Sequence, residues 1–169
     1  MPKPQLHEYP ELYHPFVQPI PYDDLIMGLE QSFAKSLQVL QRITDTQGLH
    51  RYEPNKWSIK ELMGHLIDCE RIYCYRALSI ARGEKIALPG FDQDAYVKQS
   101  NAESRSMREL VEELIQVRKA TVLLFKSFTP QQLTRKGTAN GFEMSVNLMG
   151  FIAIGHVRHH VKVIQEKYL

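Results

Sequence analysis

The stretch Trp57-Ser58-Ile59-Lys60-Glu61-Leu62-Met63-Gly64-His65-Leu66-Ile67-Asp68 carries the plainest structural instruction in the chain. Ser58 followed three residues later by Glu61 forms a capping box, in which the serine hydroxyl accepts the N3 amide and the glutamate reaches back to the cap amide. Beyond it, Ile59, Leu62, Met63, Leu66, Tyr73 and Ala77 recur at helical spacing. This predicts a helix from Ser58 to about Arg82, with Gly83 as its stop.

The same period recurs on both sides. Leu25, Ile26, Leu29, Phe33, Leu37, Leu40 and Ile43 place a helix over Tyr22–Thr46, closed by Gly48. Leu110, Leu114, Val117, Val122 and Phe125 place another over Ser106–Phe128, ended by Thr129-Pro130. A fourth starts near Ser145 and runs almost to the C-terminus. Residues 84–103, with Pro89-Gly90, read as a long loop with one helical turn in it, a length often used for lids. Residues 131–144, with Gly137, Asn140 and Gly141, read as an irregular connection. No segment alternates with period two over a useful length, so strands are not expected. The expected fold is all-α, a four-helix bundle. Its long connection between the second and third helices lets those two run parallel, which permits an up-down-down-up order.

Six of the nine prolines fall at positions 2, 4, 10, 15, 19 and 21. Each fixes its own φ and disfavours helix in the residue before it. Residues 1–21 are therefore expected to form an extended Pro-rich arm, laid over the domain through Tyr9, Leu12, Tyr13 and Phe16, with one bundle domain over 22–169.

Composition narrows the partners. The chain has 169 residues, 21 basic and 19 acidic side chains and a net charge of +2, with both signs interspersed. Nucleic-acid binding through many phosphate contacts needs a concentrated basic face, and no such run exists. Cys69 and Cys74 lie about 140° apart around a helix, so they do not bridge each other. The first residues, Met1-Pro2-Lys3-Pro4-Gln5, hold no apolar signal stretch. The longest apolar run, Phe151-Ile152-Ala153-Ile154, falls far short of the ~20 residues that span a bilayer. The expected location is the reducing cytoplasm, without membrane attachment.

Seven histidines remain to be placed, three of them between 156 and 160. His156 and His160 are one turn apart, about 40° in azimuth, and centred on the stripe of Met149, Ile152, Ala153 and Val163. Two imidazoles so placed can share one metal ion. The competing reading is a pair of core histidines satisfied by backbone or water, but burying two polar rings in an apolar stripe is costly and tips the choice toward metal. His159 lies on the flank. A third ligand must come from another helix. His7 and His14 sit in the arm and His50 in a loop, which leaves His65, on the edge of the second helix's stripe beside the small Gly64. Cys69, one turn from His65, is a rival ligand. Glu70 falls about 20° from Ile59, inside the same stripe, and calls for an inward-reaching arginine.

Three of these motifs together resemble the DinB superfamily. Residues Trp57–Asp68 look like its second-helix signature, and Gly155-His156-Val157-Arg158-His159-His160 is similar to its closing H-x-x-H-H motif. Leu88-Pro89-Gly90-Phe91-Asp92-Gln93-Asp94-Ala95-Tyr96-Val97 matches a loop common in one branch. The resemblance covers roughly residues 22–169. It implies an up-down-down-up bundle, often a homodimer, with a zinc or nickel ion held by three histidines, here His65, His156 and His160. Many relatives carry an acidic residue where this chain has Arg158, which removes a role such a residue would play.

Three His ligands leave coordination positions open, as in catalytic rather than structural sites. Relatives include thiol-dependent S-transferases, a thiol-dependent isomerase and metal-dependent hydrolases. The expected function is a metal-dependent enzyme acting on a small-molecule substrate: a thiol S-transferase using a low-molecular-weight thiol first, a hydrolase second. A non-enzymatic, stress-related dimeric bundle with a structural or vestigial metal is the third reading. Asp92 is the candidate catalytic proton acceptor, in a loop with Phe91, Asp94 and Tyr96 that either closes over the ion or packs as surface.

Overall fold

Four capped helices frame the computed structural model, which describes residues 1–169. The elements in chain order are α1 (His14–Val17), α2 (Leu25–Leu40), α3 (Asp45–Gly48), α4 (Ile59–Ala81), α5 (Gln93–Gln99), α6 (Met107–Lys126), α7 (Pro130–Thr134), β1 (Lys136–Ala139), β2 (Phe142–Ser145) and α8 (Val146–Val163). A π-helical turn, Ile164–Tyr168, continues α8. Side chains start the long helices: Asp24 caps α2, Ser58 and Glu61 close the expected box on α4, Ser106 and Glu109 form another on α6, and Ser145 caps α8. Around the bundle, α8 packs between α2 and α4, and α6 touches both of those from the other side.

Three expectations are corrected. The first helix ends at Leu40 rather than Thr46, because Thr44 opens a helix of its own, taking the Gln47 amide while the Gln47 side chain accepts from Thr44. The arm is not extended throughout. It folds into 3-10 turns at Leu6–Glu8 and Glu11–Tyr13 before α1, burying Tyr9, Tyr13 and Val17, while Leu12 points to solvent. The connection before α8 is a two-stranded hairpin, with Ala139 opposite Phe142. Its two turn residues, Asn140 and Gly141, have φ of +54° and +81°, the left-handed pair that Asn-Gly supplies in tight hairpins.

The segment 84–103 is tied down at several points. Leu88 donates to Thr138 O (2.9 Å) and accepts from Asn140 N (3.0 Å), adding a bridge to the hairpin edge. Pro89 O accepts from the Arg76 guanidinium at 2.7 Å. No helix is long and apolar enough to cross a membrane.

The apolar core falls into two halves. One gathers the arm, Leu25 and Leu29 of α2, Phe125 of α6 and residues 146–154. The other gathers Phe33 and Leu40 of α2, Leu62, Met63 and Leu66 of α4, Leu110 and Leu114 of α6, and Val157 and Val161 of α8. Between them lies a layer of buried polar side chains: His65 and Glu70 of α4, Arg118 and Thr121 of α6, and His156 of α8.

Candidate metal centre

The polar layer contains two clusters. In the first, the Glu70 carboxylate receives the Arg118 Nε and Nη2 donors, each at 2.7 Å, and the Thr121 hydroxyl, also at 2.7 Å. Arg118 donates further to Leu29 O and Ala153 O, both at 3.2 Å, so one guanidinium reaches all four bundle helices. The inward arginine that Glu70 requires therefore comes from α6. Such a buried pair depends on further hydrogen bonds to its remaining donors and acceptors, which the two carbonyls and Thr121 supply here.

The second cluster is the histidines. His65 Nε2 lies 3.1 Å from His156 Nε2, and His160 Nε2 lies 3.2 Å from the same atom. Helical spacing brings His156 and His160 to one face, and the α4–α8 packing brings His65 across to them. Trp57 covers His65 (ring centroids 4.8 Å apart), while Phe16 and Tyr73 meet His156 edge-on, each at 5.7 Å.

Burial pushes the His65 imidazole down to about 4, against the opposing pull of Asp94. His160 is pushed down to about 3 by burial and then by its histidine neighbours, and His156 lies well below its ordinary value for the same reasons. All three rings are therefore neutral at pH 7, with lone pairs available. A neutral imidazole nitrogen is either one donor or one acceptor. His156 Nε2 cannot make two aligned hydrogen bonds to the flanking Nε2 atoms, so protein groups alone leave the cluster poorly satisfied.

This donor set fits a divalent ion. Nitrogen ligands about 2.0–2.1 Å from a tetrahedral zinc stand roughly 3.3 Å apart, close to the two separations seen. Cys69 adds a sulfur 3.6 Å from both nitrogens of His65, and its Sγ groups with His65 and His156 as mutually close donors. Burial pushes this thiol up to about 12, so it stays protonated unless a cation displaces the proton.

The cluster opens to a pocket of about 450 Å³ walled by Trp57, Leu62, Asp94, His160 and Tyr168. The Tyr168 hydroxyl donates to Trp57 O at 2.8 Å, tying the C-terminal turn to the start of α4. Asp92 is engaged elsewhere, because its carboxylate caps α5, accepting from the amides of Asp94 (3.0 Å) and Ala95 (3.1 Å). Asp94, two residues on, is the carboxylate on the pocket wall. The sequence contains the signal for this division, since an aspartate directly before a helix is a preferred cap. The aromatic wall from Tyr52 and Tyr168 joins residues too far apart in the chain for any local pattern to reveal.

A three-histidine cluster between α4 and α8 of a four-helix bundle, with His65 and His156 buried and His160 half-buried, defines a class of candidate metal-binding bundle proteins. The sequence profile of the DinB superfamily matches residues 28–164, and the chain belongs to that superfamily. A search of curated proteins gave no significant match. Among solved structures, the fold is similar to that of YfiT from Bacillus subtilis, described as a probable metal-dependent hydrolase with an unusual four-helix bundle topology. The TM-score is 0.70 at 20% sequence identity, covering 83% of this chain and 84% of that one.

Proposed function

We propose that the protein is a divalent-metal-dependent enzyme that holds zinc or nickel on His65, His156 and His160 and acts on a small molecule in the adjoining pocket. The observation that carries this reading is the approach of two histidine nitrogens to His156 Nε2 at 3.1 and 3.2 Å, in a buried setting that offers them no adequate alternative. A divalent ion bound there supplies Lewis acidity, easing deprotonation of a thiol or water at neutral pH. Imidazole ligands kept neutral by burial need lose no proton before binding the ion. Asp94 would accept the proton of the incoming nucleophile at the pocket wall, and Asp92 would act by holding the α5 N-terminus that carries Asp94.

The reaction is thiol transfer onto an electrophilic carbon: the S–H proton passes to a carboxylate, the S–C bond forms and the leaving group departs. A pocket of about 450 Å³ has room for a low-molecular-weight thiol beside its acceptor, where hydrolysis would need only a water. Hydrolysis is the second reading, favoured by the description of the structurally similar B. subtilis protein. The up-down-down-up helix order, a homodimeric state and a cytoplasmic location belong to the same proposal.

The test is metal analysis of protein purified without an affinity tag, followed by turnover of electrophiles with and without small thiols. About one equivalent of zinc or nickel, lost in His65→Ala, His156→Ala and His160→Ala, supports the site. No binding after reconstitution with either ion overturns both enzymatic readings. Thiol-dependent turnover selects transfer over hydrolysis. Complete unfolding on metal removal would assign the ion a structural role.

A further inference from the structure

A second groove of about 420 Å³ lies on the other side of α8, and it shares only His159 with the metal-site pocket. Two facing rows of side chains build it. From α2 come Ser32, Lys35 and Ser36, at the i, i+3, i+4 spacing that sets residues on one face. From α8 come Arg158, His159 and Lys162. The arm's Phe16 closes one end. It is seated there because α8 carries Gly155, where a Cβ would come within 2.0 Å of the Phe16 carbonyl oxygen.

The charges in this groove do not balance. Its lining contains no carboxylate. Arg158 makes no hydrogen bond and no ion pair, Lys35 makes only a cation–π contact with Tyr22, and Lys162 has a distant, exposed partner in Glu166 at 3.7 Å. Arg51, Arg71, Arg105 and Arg118 meet carboxylates, whereas Arg158, like the exposed Arg42 and Arg108, meets none. Arg158 and Lys162 stand one turn apart, where like charges repel. The Ser32 hydroxyl, buried in the groove wall, has no hydrogen-bond partner, and the Ser36 hydroxyl donates to the Ser32 carbonyl. In a chain whose net charge is only +2, three cations around one concave site without a carboxylate are a local concentration.

We infer that this groove is a binding site for an oxyanion, the phosphate or carboxylate group of a small molecule, held by Arg158 with Lys35 and Lys162 and independent of the metal centre. Arginine gives the planar fork that recognises such groups, and the lysines add point charge. A groove of about 420 Å³ has room for a metabolite-sized ligand.

Titration of ¹⁵N-labelled protein with inorganic phosphate and with citrate, followed by amide shifts, tests the site. Saturable shifts are expected at residues 32–36 and 158–162. Their apparent affinity falls about tenfold or more in Arg158→Glu and in Lys35→Glu, in line with the loss of a charge-assisted bond. Lys126→Glu, on another face, serves as the control and leaves it unchanged. Arg158→Gln, which removes the charge without reversing it, gives an intermediate loss, and circular dichroism checks that each variant stays folded. A parallel arm measures co-sedimentation with phosphatidylcholine vesicles with and without phosphatidylglycerol. Charge-dependent binding lost in Arg158→Glu places the oxyanion on a lipid headgroup, while saturable binding of the free anions places it on a soluble molecule. No saturable binding of any probe, or binding that Arg158→Glu leaves intact, overturns the inference.

Discussion

The bundle buries two polar clusters at one level, and they are built on opposite principles. Around Glu70, the carboxylate meets the Arg118 guanidinium and a hydroxyl, and the guanidinium donates onward to two backbone carbonyls. Around His156, three neutral rings present nitrogens to one another, and the one further group near them is the Cys69 thiol beside His65. The first cluster is saturated and holds four helices together. The two are adjoining, since Arg118 donates to the Ala153 carbonyl one turn before His156. Burying unmet polar groups is tolerated where a ligand meets them. Saturation thus separates a structural cluster from a candidate site more sharply than burial does.

The largest effect should come from breaking the saturated cluster by halves. Arg118→Leu strands the Glu70 carboxylate, 1% exposed, and should cost about 3–5 kcal/mol in urea unfolding. Restoring neutrality with Glu70→Gln in the same chain should recover part of that loss.

Next in size is Gly155→Ala. The added methyl meets backbone at the Phe16 carbonyl rather than a yielding side-chain end. The cost should be about 1–3 kcal/mol, in the range of overpacked cores, with faster proteolysis of residues 1–20 as the sign that the arm has lifted.

The unsaturated cluster should respond differently. His156→Leu removes a ring that has no adequate partner, so metal-free protein should change in stability by less than about 1 kcal/mol, while bound metal falls from one equivalent to background. A loss as large as that of Arg118→Leu would show that the two clusters do the same work.

The smallest effect is at the surface. Asp45 accepts from the Met107 amide (2.6 Å) and pairs with Lys60 (3.2 Å), and these two contacts hold its carboxyl below the ordinary 3.8. A carboxyl depressed in the folded state adds stability above its ordinary value and loses it as pH falls through the folded value. Asp45→Asn should therefore lower the unfolding temperature slightly at neutral pH and flatten the acid limb below about pH 4, the two proteins converging in acid.

Much of this was legible from local chemistry. Ser58 with Glu61 announced α4, periodicity placed four helices, and the i, i+4 spacing of His156 and His160 put two rings on one face. The pairing of Glu70 with an arginine followed from its azimuth, but the choice of Arg118 did not, because it depends on how α6 is set against α4. The hairpin went unread since each strand has only four residues, although Asn140-Gly141 is a strong hairpin turn. The arm's turns were hidden by prolines, whose fixed φ suits 3-10 and helical turns as well as extended chain. Asp92 attracted a catalytic reading because capping and proton transfer both favour an aspartate at a loop's end. The groove around Arg158 combines residues from α2, α8 and the arm, so no linear pattern signals it.

The bridge from Leu88 to the hairpin has a kinetic consequence. Its amide and carbonyl, the Pro89 carbonyl and the Asp92 carboxylate are all engaged within five residues. A segment anchored so densely has no free hinge to swing. Ligand entry to the histidine pocket should then be a single step, its observed rate rising linearly with ligand concentration and showing no plateau from a slow closing motion.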